Sequence, residues 1–321
     1  MSTARRTFLR ASGGTLAAAA LPLPSFAQTA NAPVTLRLGA TPSDDMTPIV
    51  YGMKAGIYQR AGLDLQITRM RNGPAVMEGV ISGGFDIGKT SIQTVFDAHE
   101  KGLPFTICAI AIVFQAKSPY AAYIVPKDSP IRSAKDFNGL TISTGAMGGI
   151  GQTAMYAWLD KNGADSKSVK FVEIPYTAAV AAVESGRVAA AEMSYPNMAI
   201  ALEHGLRMVP VFDSLGAEYP FVVWVTTKDY SAKHPENVRA FTRAYSEAAT
   251  YTNGHHAETA PLMAEFTGLP LATIEHMARA EAGTRVVPSQ IQYVIDTCAK
   301  LGAIKTRFPA SEIVDANALR G

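Results

Sequence analysis

Only two cysteines occur in 321 residues, Cys108 and Cys298. Two thiols build neither a disulfide framework nor a four-cysteine zinc site. No Gly-Lys-Ser/Thr follows a glycine-rich stretch, and no H-E-x-x-H, G-x-S-x-G or C-x-x-C is present. Those absences remove the P-loop, zincin, α/β-hydrolase and thioredoxin-like chemistries. Histidines number six, and His255 and His256 are adjacent. Neighbours on a predicted helix face different directions, so they cannot chelate a metal as an i,i+4 pair does. No catalytic residue, metal site or cofactor is expected. No apolar run reaches the ~18–20 residues of a spanning helix. Charged residues are sparse, 17%, and nearly balanced at 29 basic to 27 acidic. That balance lacks the basic excess of a nucleic-acid binder.

What remains is an ordinary globular composition, 48% hydrophobic with 26 Gly and 19 Pro. A chain of this length favours two domains, each with its own core. Residues 1–27 read as a leader to be set aside. Arg5, Arg6 and Arg10 are its only charges; a small-residue stretch follows, and Ser25-Phe26-Ala27 fits a cleavage site before Gln28. Ala4-Arg5-Arg6-Thr7-Phe8-Leu9-Arg10 resembles the twin-arginine export signal, with Ala4 in place of Ser/Thr and Arg10 in place of Lys. That resemblance implies a periplasmic or exported protein, folded before export. Without the leader arginines the chain is close to neutral. Export would bring both cysteines into an oxidising space, yet each sits in an apolar setting, and two buried thiols are expected.

The mature chain alternates strand and helix. Val34-Thr35-Leu36-Arg37-Leu38-Gly39 alternates at period two. Helices are expected over 47–55, 74–81 and 91–101, and strands over 63–70, 85–88 and 105–113. A strand over 120–125 crosses into a second lobe. There the pattern repeats: strands over 140–143, 169–174 and 188–193, helices over 151–162, 178–184 and 198–204. A return strand covers 221–227, with Trp224 as core, and the chain is mostly helical from Pro235. Val80-Ile81-Ser82-Gly83-Gly84-Phe85-Asp86 is echoed by Val183-Glu184-Ser185-Gly186-Arg187-Val188-Ala189. The expected fold class is therefore α/β: two similar lobes, each a β-sheet flanked by helices, joined by two crossing strands. The expected division is 28–121 plus 226–321 for lobe I and 122–225 for lobe II. Ligands of open α/β sheets bind outside the carboxyl ends of the strands. The loops of interest are 42–47, 89–93, 144–152, 175–177 and 194–197.

In the first of these, Asp44 and Asp45 precede Met46. The acids either receive a ligand amine or hydroxyl, or form a solvated turn at a helix N-terminus. Thr90 and Ser91 either donate hydroxyls to a ligand or cap the next helix. The glycine loop from Thr144 through Gly145, Met147 and Gly148 to Gly151 opens a helix. Its amides suit a carboxylate, sulfonate or phosphate; otherwise the glycines serve positive φ angles. Tyr176 and Tyr195 stand at strand ends as walls of a small-molecule pocket, or as lobe packing. A rival reading uses Gly149-x-Gly151-x-x-Ala154 with Glu173 as a dinucleotide fingerprint. It would make the chain an exported NAD(P)-dependent oxidoreductase.

Further motifs carry a family resemblance over about residues 34–260. Tyr51-Gly52-Met53-Lys54-Ala55-Gly56-Ile57-Tyr58 with Ala61-Gly62-Leu63-Asp64-Leu65, then Ser82 to Gly88, Ile131 to Leu140 and Gly186 to Pro196, resemble motifs of ABC-importer solute-binding proteins. The group in question takes nitrate, alkanesulfonates, taurine and thiamine-precursor pyrimidines. Ala189 stands where that family usually has a second Asp. The resemblance implies a type II periplasmic binding protein, monomeric and not an enzyme. It would close by a hinge on a small solute and dock on an inner-membrane permease with a separate ATPase. The glycine loop favours an organic anion, and the tyrosines leave room for an aromatic or heterocyclic body. Related pyrimidine-synthesising enzymes carry a cysteine cluster that this chain lacks. A sensor role without transport remains open on these residues alone.

Overall fold

A computed structural model describes residues 32–320; the leader over 1–27 lies outside them. Ten strands form two five-stranded sheets. The first sheet contains β1 (Val34–Ala40), β2 (Leu63–Arg69), β3 (Ile87–Ser91) and β4 (Phe105–Gln115). The second contains β5 (Ala121–Pro126), β6 (Thr141–Thr144), β7 (Lys170–Glu173), β8 (Ala191–Ser194) and β9 (Leu206–Val209). The chain then rejoins the first sheet as β10 (Glu218–Thr227). The orders are β2-β1-β3-β10-β4 and β7-β6-β8-β5-β9.

Each sheet has three strands in local parallel pairing and one antiparallel insert. β1 runs parallel to β2 and β3, while β10 is antiparallel to β3 and β4. In the second sheet β6 is parallel to β7 and β8, and β5 is antiparallel to β8 and β9. The strand that enters from the other side, β10 or β5, takes the same slot each time. That shared topology is the structural form of the sequence echo. It also places a reversal of strand order between β1 and β3, and between β6 and β8. A crevice opens at such reversals, outside the carboxyl ends of the strands.

Glu218–Thr227 pairs with Phe105–Gln115 from its first residue. The chain is thus back in the first sheet three residues before the predicted start of the return strand, and the changeover segments are 116–120 and 210–217. Strand β9 has no counterpart among the predicted elements. Its four residues include Arg207 and are followed by Pro210, so period-two alternation never develops. The predicted 85–88 strand begins instead at Ile87, because Asp86 is used differently. Its carboxylate accepts the Arg37 backbone N–H at 2.8 Å and the Arg37 guanidinium at 3.0 and 2.6 Å. The Asp86 N–H donates to the Arg37 carbonyl at 2.9 Å. In the second lobe Ala189 donates to the Thr141 carbonyl at 2.8 Å. The backbone bond survives there, and the carboxylate clamp is absent.

The helical region after Pro235 folds back on the first sheet. Helix Pro235–Gly254 buries Val238, Phe241, Tyr245 and Ala248. Phe241 and Tyr245 meet the Trp224 indole edge-on, with ring centroids 5.9 and 6.2 Å away. Tyr245 donates to the Ile110 carbonyl at 3.2 Å and Thr242 to that of Cys108 at 3.0 Å. Both cysteines are free and buried. Burial pushes the Cys108 thiol well up and that of Cys298 up to about 12, so neither is a ready thiolate. Among the described residues no helix is long and apolar enough to cross a membrane.

The Asp86 clamp generates a prediction. Asp86→Ala leaves the Arg37 N–H without its acceptor and should cost about 1–3 kcal/mol in urea denaturation. Ala189→Thr, at the matching place in the second lobe, should change stability by less than about 0.5 kcal/mol. Equal costs at the two positions would contradict the asymmetry.

Candidate functional site

The first loop is built around two buried ion pairs. Asp44 and Asp45 lie in a 3-10 turn, Asp44–Met46, that leads into helix Thr47–Lys54. Both acids are buried, as is Met46. Arg279 donates from Nε to Asp44 Oδ1 at 2.7 Å, and the Ala280 N–H donates to Oδ2 at 2.7 Å. The remaining guanidinium nitrogens reach the His256 carbonyl at 2.9 Å and the Thr47 hydroxyl at 3.2 Å. Asp45 takes the Lys89 ammonium and the Ser43 hydroxyl, the latter at 2.6 Å. Lys89 also donates to Ser43 Oγ at 2.9 Å and to the Thr41 carbonyl at 3.1 Å. Burial raises the Asp44 pKa, with Arg279 pulling against it. Burial likewise lowers that of Lys89, with Asp45 opposing. Both acids are thus saturated by cations of the protein rather than solvated.

In the second lobe the central group is Glu192, on β8 and 6% exposed. Its carboxylate accepts the Thr144 hydroxyl, the Gly145 N–H at 3.0 Å and the Tyr176 hydroxyl at 2.7 Å. The Tyr176 ring lies over Gly145, where a Cβ would come within 2.6 Å of Cε1. A Cβ on Gly151 would fall 2.2 Å from Glu192 Cδ. Glycine at these two positions is therefore a matter of room. The Glu192 carboxylate sits against the N-terminus of helix Ile150–Lys161, where a negative charge is favoured.

Three further glycine-loop amides are also engaged. Met147 donates to Glu173 Oε2 at 3.1 Å, Gly148 to Gln152 Oε1 at 2.8 Å and Gly149 to the Ala146 carbonyl at 3.0 Å. Gly148 takes φ +72°. Four of the amides offered to an anion on sequence grounds, those of Gly145, Met147, Gly148 and Gly149, thus already hold protein oxygens. The same facts bear on the dinucleotide fingerprint. The Glu192 carboxylate packs against Gly151 of that fingerprint, and Glu173 is turned to the Met147 amide.

Six buried side-chain polar atoms have no partner among the described residues, Ser143 Oγ, Trp224 Nε1 and His256 Nε2 among them. Thr90 Oγ1, Ser91 Oγ and Tyr120 Oη are buried and make no hydrogen bond among the described residues. Tyr120 is the hub. Burial pushes its phenol well above the ordinary value, and Asp45, Asp44 and Tyr176 push the same way. The Tyr120 carbonyl accepts the Tyr195 N–H at 3.1 Å, and the two rings are 6.3 Å apart. Tyr195 is 7% exposed, with the Ala278 backbone beside its hydroxyl.

Nearby, a groove of about 410 Å³ runs between Met77, Ile81, Asp97 and Leu103 on one side and Ala146 and Met147 on the other. Met147, 51% exposed, is therefore a rim residue. Asp97 Oδ2 comes within 3.7 Å of where a Gly148 Cβ would stand. Gly148 thus marks a place where the sheets' helices and loops meet. Among the described residues no group of three His, Cys, Asp or Glu has the arrangement of a metal site.

Sequence reasoning missed Lys89, Tyr120, Glu192, His256 and Arg279. Two of these left a trace: Lys89 in Ile87-Gly88-Lys89-Thr90 and Glu192 in Ala190-Ala191-Glu192-Met193 are charges within apolar strands. A charge so placed has to be matched inside the fold. Arg279 and His256 come from the distant helical region and carry no local signal.

The comparisons with known proteins follow this geometry. A family model described as NMT1/THI5 like matches residues 43–259. A putative aliphatic sulfonates-binding protein of Bacillus subtilis (strain 168) is 22% identical over 290 residues, covering 87% of this chain and 85% of the relative. The alkanesulfonate-binding protein of Xanthomonas axonopodis pv. citri, solved bound to MOPS, superposes with TM-score 0.72 at 18% identity, covering 88% of this chain and 98% of that one. The periplasmic nitrate-binding protein of Synechocystis PCC 6803 gives TM-score 0.75 at 15% identity, covering 90% and 88%. The fold is that of the periplasmic binding proteins, as the motifs implied.

Two outcomes are expected of the ion-pair cluster. Asp44→Asn strands a buried guanidinium and should cost about 3–5 kcal/mol in urea denaturation, with Asp44→Asn/Arg279→Met recovering part of it. A cost below about 1 kcal/mol would show the pair to be solvated. Burial and the Arg279 charge hold the His256 imidazole below its ordinary value. The folded state then binds fewer protons than the unfolded one, so this contribution rises with pH and is lost as pH falls below about 6.5. His256→Gln should flatten the acid limb of the melting temperature against pH; an unchanged limb would contradict this.

Proposed function

The chain belongs to the NMT1/THI5-like family, and on that footing we propose that it is the substrate-binding component of an ABC importer. In this reading it is not an enzyme. Residues 28–121 plus 226–321 and residues 122–225 act as two lobes. They close over a small organic solute by rotation about the changeover segments, and the loaded monomer presents the solute to an inner-membrane permease driven by a separate ATPase. The leader over 1–27 delivers it to the periplasm through twin-arginine export.

The observation that carries this reading is the set of orphaned hydroxyls. The Thr90, Ser91 and Tyr120 oxygens are buried without a partner in β3 and beside β5, and Ser143 Oγ in β6 is a fourth such hydroxyl. Buried polar atoms in native proteins are almost always satisfied. A ligand that supplies partners to Thr90, Ser91 and Tyr120 accounts for those three at once. Met46, Tyr176 and Tyr195 furnish apolar and aromatic surface around them. Of the two solute classes open from sequence, an organic anion and a heteroaromatic body, the engaged glycine loop favours the second. The relatives that bind sulfonate and nitrate support the receptor role rather than their own ligands.

A thermal-shift screen tests the proposal. The protein is first partly unfolded and refolded to strip any carried ligand. It is then challenged with pyrimidines, aromatic carboxylates, sulfonates, nitrate and NAD(P). A ligand at ~100 times its Kd stabilises by ~2.7 kcal/mol. The reading expects such a shift with one small organic compound, abolished by Thr90→Val with Tyr120→Phe. A shift with NAD(P) alone would overturn it in favour of an oxidoreductase.

A further inference from the structure

We propose that the solute taken by this cleft presents a cationic, N–H-donating head to Glu192, and that anionic solutes are rejected. The inference rests on the receptor reading and adds the charge of the ligand to it.

The charge inventory of the cleft is uneven. Lobe I contributes Asp44 and Asp45, each matched by its own cation, Arg279 and Lys89. Lobe II contributes Glu192, whose partners are two hydroxyls and one amide, with no cation of the protein among the described residues. Three buried carboxylates therefore face two cations. In a receptor that closes around its ligand, the missing positive charge is the ligand's to supply.

The glycine-loop part of the place where an anion would ordinarily be held is filled from within. A helix N-terminus and a glycine loop together form an anion site when their amides are free. Here Glu192 lies against the N-terminus of Ile150–Lys161, and the Gly145, Met147, Gly148 and Gly149 amides all hold protein oxygens. A sulfonate or carboxylate entering this site would meet a carboxylate. Like charges brought together on closure are strongly disfavoured.

The recognition groups fit a donor. A carboxylate has about four lone-pair sites. Glu192 uses two on Oε2, for Thr144 and Gly145, and one on Oε1, for Tyr176. One site on Oε1 is left. The unpartnered Thr90 and Tyr120 oxygens, 3% and 4% exposed as residues, accept from N–H groups as readily as they donate. Tyr120 adjoins Glu192 through the pairing of β5 with β8, where its carbonyl accepts the Tyr195 N–H and Tyr123 lies opposite Glu192. An ammonium or amidinium head placed between Tyr120 and Glu192 would meet acceptors on both sides.

Isothermal titration with charge-matched probe pairs tests the inference. Ethanolamine is compared with isethionate, and benzylamine with benzenesulfonate, on the stripped protein. The ammonium member of at least one pair should bind about tenfold or more tightly than its sulfonate partner, and Glu192→Gln should erase that preference. Tyr176→Phe, which keeps the ring and frees a lone pair on Glu192, should tighten the ammonium member. It guards against a Glu192→Gln protein that fails to fold. Tighter sulfonate binding, a preference untouched by Glu192→Gln, weaker ammonium binding in Tyr176→Phe, or no binding by either pair would overturn the inference. A sulfonate or neutral ligand found in the thermal-shift screen would then leave the receptor reading standing, whereas a screen without any small-solute shift would remove both.

Discussion

A charge carried inside a buried strand must be matched on the spot, and this requirement organises the candidate site. Lys89 lies in β3 and Glu192 in β8, both next to a reversal of strand order. Lys89 is matched by Asp45 from the first loop. Asp44, next to it, is matched by Arg279 from the helical region near the C-terminus. That second pair ties the first loop to residues more than two hundred positions later in the chain. Glu192 is matched differently, by hydroxyls, an amide and a helix N-terminus. The two lobes share a topology and solve the same desolvation problem with opposite polarity. Lys89 is paired with a carboxylate, and Glu192 is held by two hydroxyls and an amide.

Geometry around Glu192 explains features that would otherwise look unrelated. Gly151 is glycine because the carboxylate needs the space of a Cβ, and Gly145 because the Tyr176 ring does. Helix Ile150–Lys161 begins with no side-chain cap, and the Glu192 carboxylate packs against its first turn at Gly151. Asp86 and Ala189 show the same economy at the fold level. The clamp on Arg37 is a carboxylate in one lobe, while the other lobe keeps only the backbone bond.

Most of the architecture was legible in the sequence because it rests on local signals. Strand β1 alternates, Gly56 and Gly83 take positive φ after their helices, and the Ser82–Gly88 motif repeats one lobe later. Strand β9 was not legible, being four residues long with an arginine inside and a proline after. Asp44, Asp45, Thr90, Thr144, Tyr176 and Tyr195 all lie in or just after strands or in the loops that follow them. What spacing could not say is which of them are already spent on partners. Arg279 reaches Asp44 only through tertiary folding. Glu192 is visible in the sequence as a lone acid in Ala190-Ala191-Glu192-Met193, a local oddity whose meaning depends on the loop folded over it. Met147 shows the limit from the other side, since nothing in its neighbours distinguishes a rim residue from a wall.

The account's central claim is that Thr90, Ser91 and Tyr120 are completed by a small molecule held between the lobes. A crystal structure of the protein taken from its native compartment, without unfolding, tests this most directly. The account expects density for a small organic molecule within hydrogen-bond distance of those three hydroxyls, with the Asp44–Arg279 and Asp45–Lys89 pairs intact beside it. Hydroxyls bonded only to protein groups, or a ligand seated elsewhere on the chain, would contradict it.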